Sequence, residues 1–197
     1  MNEPAGYDFS NAMRYFLRHD PDVVLIGEMR DTETAKTALT AATTGHMVLS
    51  TLHANTALGS IPRLQGLEMD VEMLAESLIA VVSQRLVRTI CPHCQESYQP
   101  SREELDYLGV EVKELKRGAG CADCNHTGYL GRTLVYEVMV VDREVRQLLE
   151  KSADLTEIED SLVRKGFKNM FDIGVQKVVM GITTVEELQR VLGKTRF

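Results

Sequence analysis

Two short apolar runs fix the first half of this chain more tightly than any other feature. "PDVVLIGEMRD" (Pro21 to Asp31) carries Val23–Ile26 into a glycine and an acid, and "HMVLST" (His46 to Thr51) is a second run of the same kind. Between them lies "DTETAKTALTAATTG", an alanine-rich helical segment with Asp31 or Thr32 at its N-cap and Gly45 at its C-cap. A short β-branched run bounded by turn signals reads as a buried strand. Strand, helix, strand is the unit that joins parallel strands by a right-handed crossover. The fold class expected is therefore α/β, a parallel sheet with flanking helices.

The rest of the chain divides by texture. "FSNAMRYFLRH" puts Phe9, Met13, Phe16 and Leu17 on one helical face that Pro21 stops. A short helix is expected at Thr56 to Leu64 and a longer one at Val71 to Ile90, with Arg85 and Arg88 on its last turns. There the helix dipole favours cations, and a subunit interface would use them equally well. From Cys91 the chain turns polar and glycine-bearing, then "TLVYEVMVVD" (Thr133 to Asp142) reads as one more strand. The tail alternates amphipathic helices with turns at Gly166, Gly174 and Gly181. Three regions are expected: a core over residues 1–90, a cysteine insert over 91–131, and a strand with a helical bundle over 132–197.

Net charge of −7 argues against broad binding to nucleic acid or to anionic lipid. No apolar run approaches the roughly 18 residues of a membrane span, and "MNEPAGYDFS" lacks the regions of a signal peptide. The expectation is a cytoplasmic protein that does not insert in the membrane. That setting gives the four cysteines their meaning. Cys91 and Cys94, then Cys121 and Cys124, form C-x₂-C, twenty-six residues, C-x₂-C. Two such knuckles complete a tetrahedral S₄ site for structural zinc, with no open position for water. The competing readings are a redox C-x-x-C or free thiols, and a redox motif needs only one pair. His93 and His126 are expected outside the ligand set. The insert has so few apolar residues that metal is expected to stand in for a core.

Glu28 and His53 each follow the carboxyl end of a predicted strand, where open parallel sheets place their crevices. A carboxylate there can polarise an attacking water and an imidazole can contact a phosphate oxygen. The plainer alternative is that Glu28 only pairs with Arg30 and His53 only caps a loop.

Several motifs in order resemble one family. "LRHDPDVVLIGEMRDTETAKTALTAATTGHMVLSTLHANTA", "SQRLVRTICPHC", "CADC", "GRTLVYEVM" and "GITTVEELQRVLG" are similar to the hexameric ATPases of type II secretion and type IV pilus assembly. The resemblance implies part of a RecA-like P-loop NTPase domain in which Glu28 is the Walker B glutamate. It also makes His53 the histidine-box residue facing the γ-phosphate and puts Gly27 beside the nucleotide. His46, which opens a strand, is expected to be structural. ATP and Mg²⁺ are the implied cofactors. The implied partners are further copies in a hexamer and inner-membrane platform proteins, with the enzyme peripheral to the inner membrane. The phosphate cradle G-x-x-x-x-G-K-[ST] does not occur in these 197 residues. The chain is expected to be a C-terminal fragment with half an active site, inactive alone. Two other classes remain open: a zinc-stabilised docking module for a platform protein, and a nucleic-acid binder, which the charge disfavours.

Overall fold

A computed structural model of the chain describes residues 12, 15–19 and 21–193. Phe9 and Met13 of the expected first helix lie outside the described residues. Tyr15 and Phe16 are helical and lead into a 3₁₀ turn at Leu17–His19. The chain forms two compact units. One takes the described residues through Val81 together with Val138–Phe167, the other Val82–Glu137 with the described residues from Lys168 on.

In the first unit, β1 (Val23–Ile26) and β2 (Met47–Ser50) pair in parallel, from Val23 opposite Met47 to Ile26 opposite Ser50. The crossover is α1 (Thr32–Thr43). Asp31 caps it, its two carboxylate oxygens accepting from the Thr34 amide at 2.8 Å and the Thr34 hydroxyl at 2.9 Å. At the other end Gly45 adopts φ +102°, and the amides of Gly45 and His46 reach back to the carbonyls of Ala42 and Ala41. That is the double bond of a Schellman ending, which favours glycine because of its left-handed residue. Helix α1 buries Ala35, Ala38 and Ala41, small side chains that let it lie close on the strands, together with the larger Leu39.

Helices α2 (Ser60–Gln65) and α3 (Val71–Ser77) add Ile61, Leu64, Leu74 and Ala75 to that core. From later in the chain, α5 (Arg143–Glu150) and α6 (Leu155–Arg164) add Val145, Leu149, Ile158 and Leu162. The tail is thus divided: its first two helices belong to the first unit.

The long helix expected over Val71–Ile90 is corrected by the structure. It ends at Ser77, and β3 occupies Ala80–Ile90. Val81, Val82, Val87, Thr89 and Ile90 are β-branched and stiff at χ1, and burial alternates with Ser83 and Val87 inside and Val82, Gln84 and Leu86 outside. Its partner is β6 (Tyr129–Val140), far along the chain. Arg85 and Arg88 therefore sit on a strand and not at a helix C-terminus.

In the second unit, β4 (Gln95–Tyr98) and β5 (Leu115–Gly118) make an antiparallel ribbon, with α4 (Arg102–Leu108) between them in sequence. Helices α7 (Met170–Val179) and α8 (Val185–Leu192) close the unit. Tyr107, Leu108 and Leu115 of the insert pack with Val175, Val178, Val185 and Leu188 of these helices. The Tyr107 and Phe171 rings meet edge to face at 5.2 Å. The insert does have a core, and the tail supplies half of it.

A fully buried carboxylate ties α8 to β3. Glu187 accepts from Arg88 Nη2 at 2.7 Å, the Arg88 amide at 2.9 Å and Arg190 Nη2 at 2.6 Å. The Arg88 guanidinium also lies 4.0 Å over the Tyr129 ring. Burial alone would raise the Glu187 carboxyl, but the hydrogen bonds from Arg190 and Arg88 outweigh it and hold it at about 2. An unfolded glutamate titrates near about 4.3, so as pH falls the unfolded chain takes up the proton first. The contribution of this cluster is expected to be complete above about pH 4.3 and lost between there and about 2, read from urea unfolding across that range. Glu187→Ala removes the shared acceptor of two partly exposed guanidinium groups and should cost about 1.5–3 kcal/mol at neutral pH in the same assay.

Candidate functional site

The parallel pairing of β1 and β2 continues past both strand ends. The Thr51 hydroxyl donates to the Gly27 carbonyl at 2.6 Å, and the Met29 amide to the Thr51 carbonyl at 2.9 Å. These bonds set the two exit loops side by side and bring Glu28 against His53. Glu28 Oε1 lies 3.0 Å from His53 Nε2. Glu28 Oε2 accepts from Arg30 Nε and Nη2, each at 2.6 Å. The carboxylate is mostly sunk, at 19% exposure, while the His53 and Arg30 side chains are 86% and 77% exposed. One acid thus stands at the rim with both oxygens engaged, by donors that face solvent.

Glu28 and His53, expected at neighbouring strand ends, are in contact. The pairing with Arg30 offered by the plainer reading is present as well. Gly27 joins them through its carbonyl; a side-chain carbon there would meet no described atom within 4 Å, so packing within the chain does not demand glycine. His46 places Nδ1 3.1 Å from the Ala41 carbonyl oxygen at the end of α1. It closes the crossover and lies away from the rim pair.

The four cysteines form a second site. Sulfur to sulfur, Cys91 and Cys121 are 3.9 Å apart, Cys94 and Cys124 3.9 Å, and Cys121 and Cys124 3.8 Å. All four lie within 4.8 Å of one another. Thiolates at about 2.3 Å from a tetrahedral metal stand about 3.8 Å from each other, so the donor set fits such an ion. Backbone amides already point at the sulfurs: Gly120 at Cys94 and Gly128 at Cys124, both 3.3 Å, and Cys121 at Cys124 at 3.2 Å. The Cys121 amide above all draws the Cys124 thiol down to about 6, whereas burial pushes Cys94 up to about 12. The thiols differ in how readily they ionise, and a bound cation would favour the thiolate at all four. His93 and His126 are not in the cluster. His93 Nδ1 lies 4.0 Å from an Asp123 oxygen, and the His126 amide donates to the Cys121 carbonyl at 2.8 Å.

Two glycines bring the knuckles together. A Cβ on Gly118 would fall 2.0 Å from the Gly128 carbonyl oxygen, and one on Gly128 would fall 2.6 Å from that of Gly118. The Cys91 amide bonds the Gly128 carbonyl at 2.9 Å, linking the first knuckle to the loop after the second.

Residues 1–190 match the family "Type II/IV secretion system protein". The chain belongs to this family. It is 43% identical over 193 residues to the type IV pilus assembly ATPase PilB of Thermus thermophilus, covering 95% of this chain and 22% of that protein. Identity to the type II secretion system ATPase E of Vibrio cholerae is 41% over 194 residues, 97% of this chain and 38% of that one. The chain thus spans well under half the length of these secretion-family relatives. Among solved structures, the pilus retraction motor PilT with bound ADP superposes with TM-score 0.66 at 28% identity, over 93% of this chain and 43% of that one. The Legionella pneumophila ATPase DotB, at TM-score 0.64 and 24% identity over 93% of this chain and 42% of its own, shows the shared fold. Among the described residues no helix is long and apolar enough to cross a membrane.

Sequence reasoning named the Glu28–Arg30 pairing only as the plainer alternative, and it did not single out the Arg88–Glu187–Arg190 cluster. An arginine two residues past the strand-end acid was the available signal for Arg30. Glu187 carried a fainter one, an acid at the fourth position of "TVEELQR" next to Leu188. Gly128→Ala, which disturbs the amide directed at Cys124 and the Gly118 contact, should weaken metal binding by about 10–100-fold, measured by competition against a coloured chelator.

Proposed function

We propose that this chain is the C-terminal part of a motor ATPase that powers type II protein secretion or type IV pilus assembly. The observation that carries the reading is the Glu28–His53 contact of 3.0 Å at the ends of two neighbouring parallel strands, in a chain of this family. Glu28 orients and deprotonates the water that attacks the γ-phosphate, as a sunk carboxylate with lone pairs toward the rim can do. His53, exposed beside it, contacts the γ-phosphate and tells ATP from ADP. Gly27 keeps the strand exit bare where the nucleotide passes. Mg²⁺ would offset phosphate charge when bound. The loop G-x-x-x-x-G-K-[ST], absent from these 197 residues, has to come from another part of a longer polypeptide, so the 197 residues alone should hydrolyse ATP negligibly.

The S₄ cluster is a structural zinc site, since four thiolates leave no open position for water. The working enzyme is a cytoplasmic hexamer held at the inner membrane by platform proteins. A second reading makes the unit around the cysteines a non-catalytic docking module for such a platform protein. Its support is that the unit has its own apolar core and its own buried ion cluster.

In a polypeptide that includes the phosphate loop, Glu28→Gln should leave ATP binding intact and lower kcat by about 10²-fold or more. Steady-state phosphate release checks this, and turnover at the parent rate would leave Glu28 as a mere structural partner of Arg30. His53→Ala should instead narrow the affinity gap between ATP and ADP, read by competitive nucleotide binding.

A further inference from the structure

The two oxygens of Glu28 are not equivalent. Oε2 is taken by one guanidinium through two nitrogens, Nε and Nη2 of Arg30, each at 2.6 Å. Oε1 faces only His53 Nε2, at 3.0 Å, among the contacts described at the rim. Two donors of a rigid planar fork converging on one oxygen hold that oxygen more firmly than a single donor would. Arg30 is not diverted to its neighbour Asp31, whose oxygens cap α1 through the Thr34 amide and hydroxyl. Nor is the pair a strong source of stability, because the Arg30 side chain is 77% exposed and surface ion pairs contribute little. What the contact does fix is which oxygen of Glu28 is turned toward His53.

We propose that Arg30 is a positioning residue that holds Oε2 and thereby presents Oε1, beside His53, to the attacking water. The inference rests on the reading of Glu28 as the base. A glutamate side chain has three rotatable bonds, and a base that wanders by an ångström loses much of its effect. Arg30 removes that freedom from the side opposite His53. Lysine could supply the charge but not the two-nitrogen grip.

The test is a double-mutant cycle in the polypeptide that includes the phosphate loop, with Arg30→Met and Arg30→Lys each made alone and together with Glu28→Gln. Met keeps the apolar stem, and Lys replaces it in the comparison should the Met variant fail to fold, as judged by melting temperature and metal content. Arg30→Met is expected to lower kcat about tenfold with KM for ATP changed less than about twofold, and Arg30→Lys to fall between. In the Glu28→Gln background neither change should lower the residual rate further, because the group being positioned is gone. Equal fractional losses in both backgrounds would show that Arg30 acts on something other than Glu28 and overturn the proposal. Parent turnover in both Arg30 variants, with Glu28→Gln still impaired, would overturn it while leaving Glu28 as the base. A higher KM at unchanged kcat would make Arg30 a substrate contact instead. Parent turnover in Glu28→Gln would remove the reading on which the proposal stands.

Discussion

A parallel pair of strands cannot be closed by a tight turn, and the first unit follows from that restriction. The chain leaving β1 must travel back along the sheet before β2 can begin, so a helix of three turns fills the gap and both strands end at the same edge. Alanines on the inner side of α1 let the crossover lie close, and the Schellman ending at Gly45 reverses the chain in the few residues available. The Thr51–Gly27 and Met29–Thr51 hydrogen bonds then carry the pairing a step beyond the strands. Glu28 and His53 meet because the backbone delivers them to one edge.

The second unit is ordered by different means. Its insert is polar, and three devices offset the small apolar area. Tyr107, Leu108 and Leu115 complete a core with α7 and α8. Glu187 gathers Arg88 and Arg190, so a strand and a helix far apart in sequence are locked through one carboxylate. Four sulfurs converge where Gly118 and Gly128 allow the backbones to touch. A buried carboxylate with every oxygen engaged is costly to form and costly to break, which suits a segment that keeps four sulfurs close enough to hold a metal ion.

What could be read from the residues divides along the same line. The βαβ unit was legible because its signals are local: two β-branched runs, an Asp31 cap, a glycine ending. The S₄ cluster was legible because knuckle spacing is itself a constraint on where sulfurs point. Val71–Ile90 was misread because "LIAVVSQRLVRTI" supports either period, and what settles it is β6, some forty residues on. Once β3 is a strand, Arg88 points to Glu187, a contact no local pattern announces. The apparent poverty of the insert was a similar error, since its core residues had to be counted with Val175, Val178 and Leu188.

Charge at the rim bears on the proposal that this edge is part of a nucleotide site. Glu28 is negative, Arg30 balances it, and His53 adds a positive charge only when protonated. A triphosphate with several negative charges would gain little net attraction from so evenly matched a set. On that proposal, binding it would call for backbone amides, a lysine and a metal ion brought by another segment. The same pairing would suit the proposed step after binding. A carboxylate already paired with Arg30 does not add a bare negative charge beside the phosphates, yet Oε1 keeps a lone pair for a proton. If Glu28 is the base, holding it by its far oxygen reconciles two demands that conflict at any phosphate site: an acid close enough to activate water, and a field that does not expel the anion it must attack.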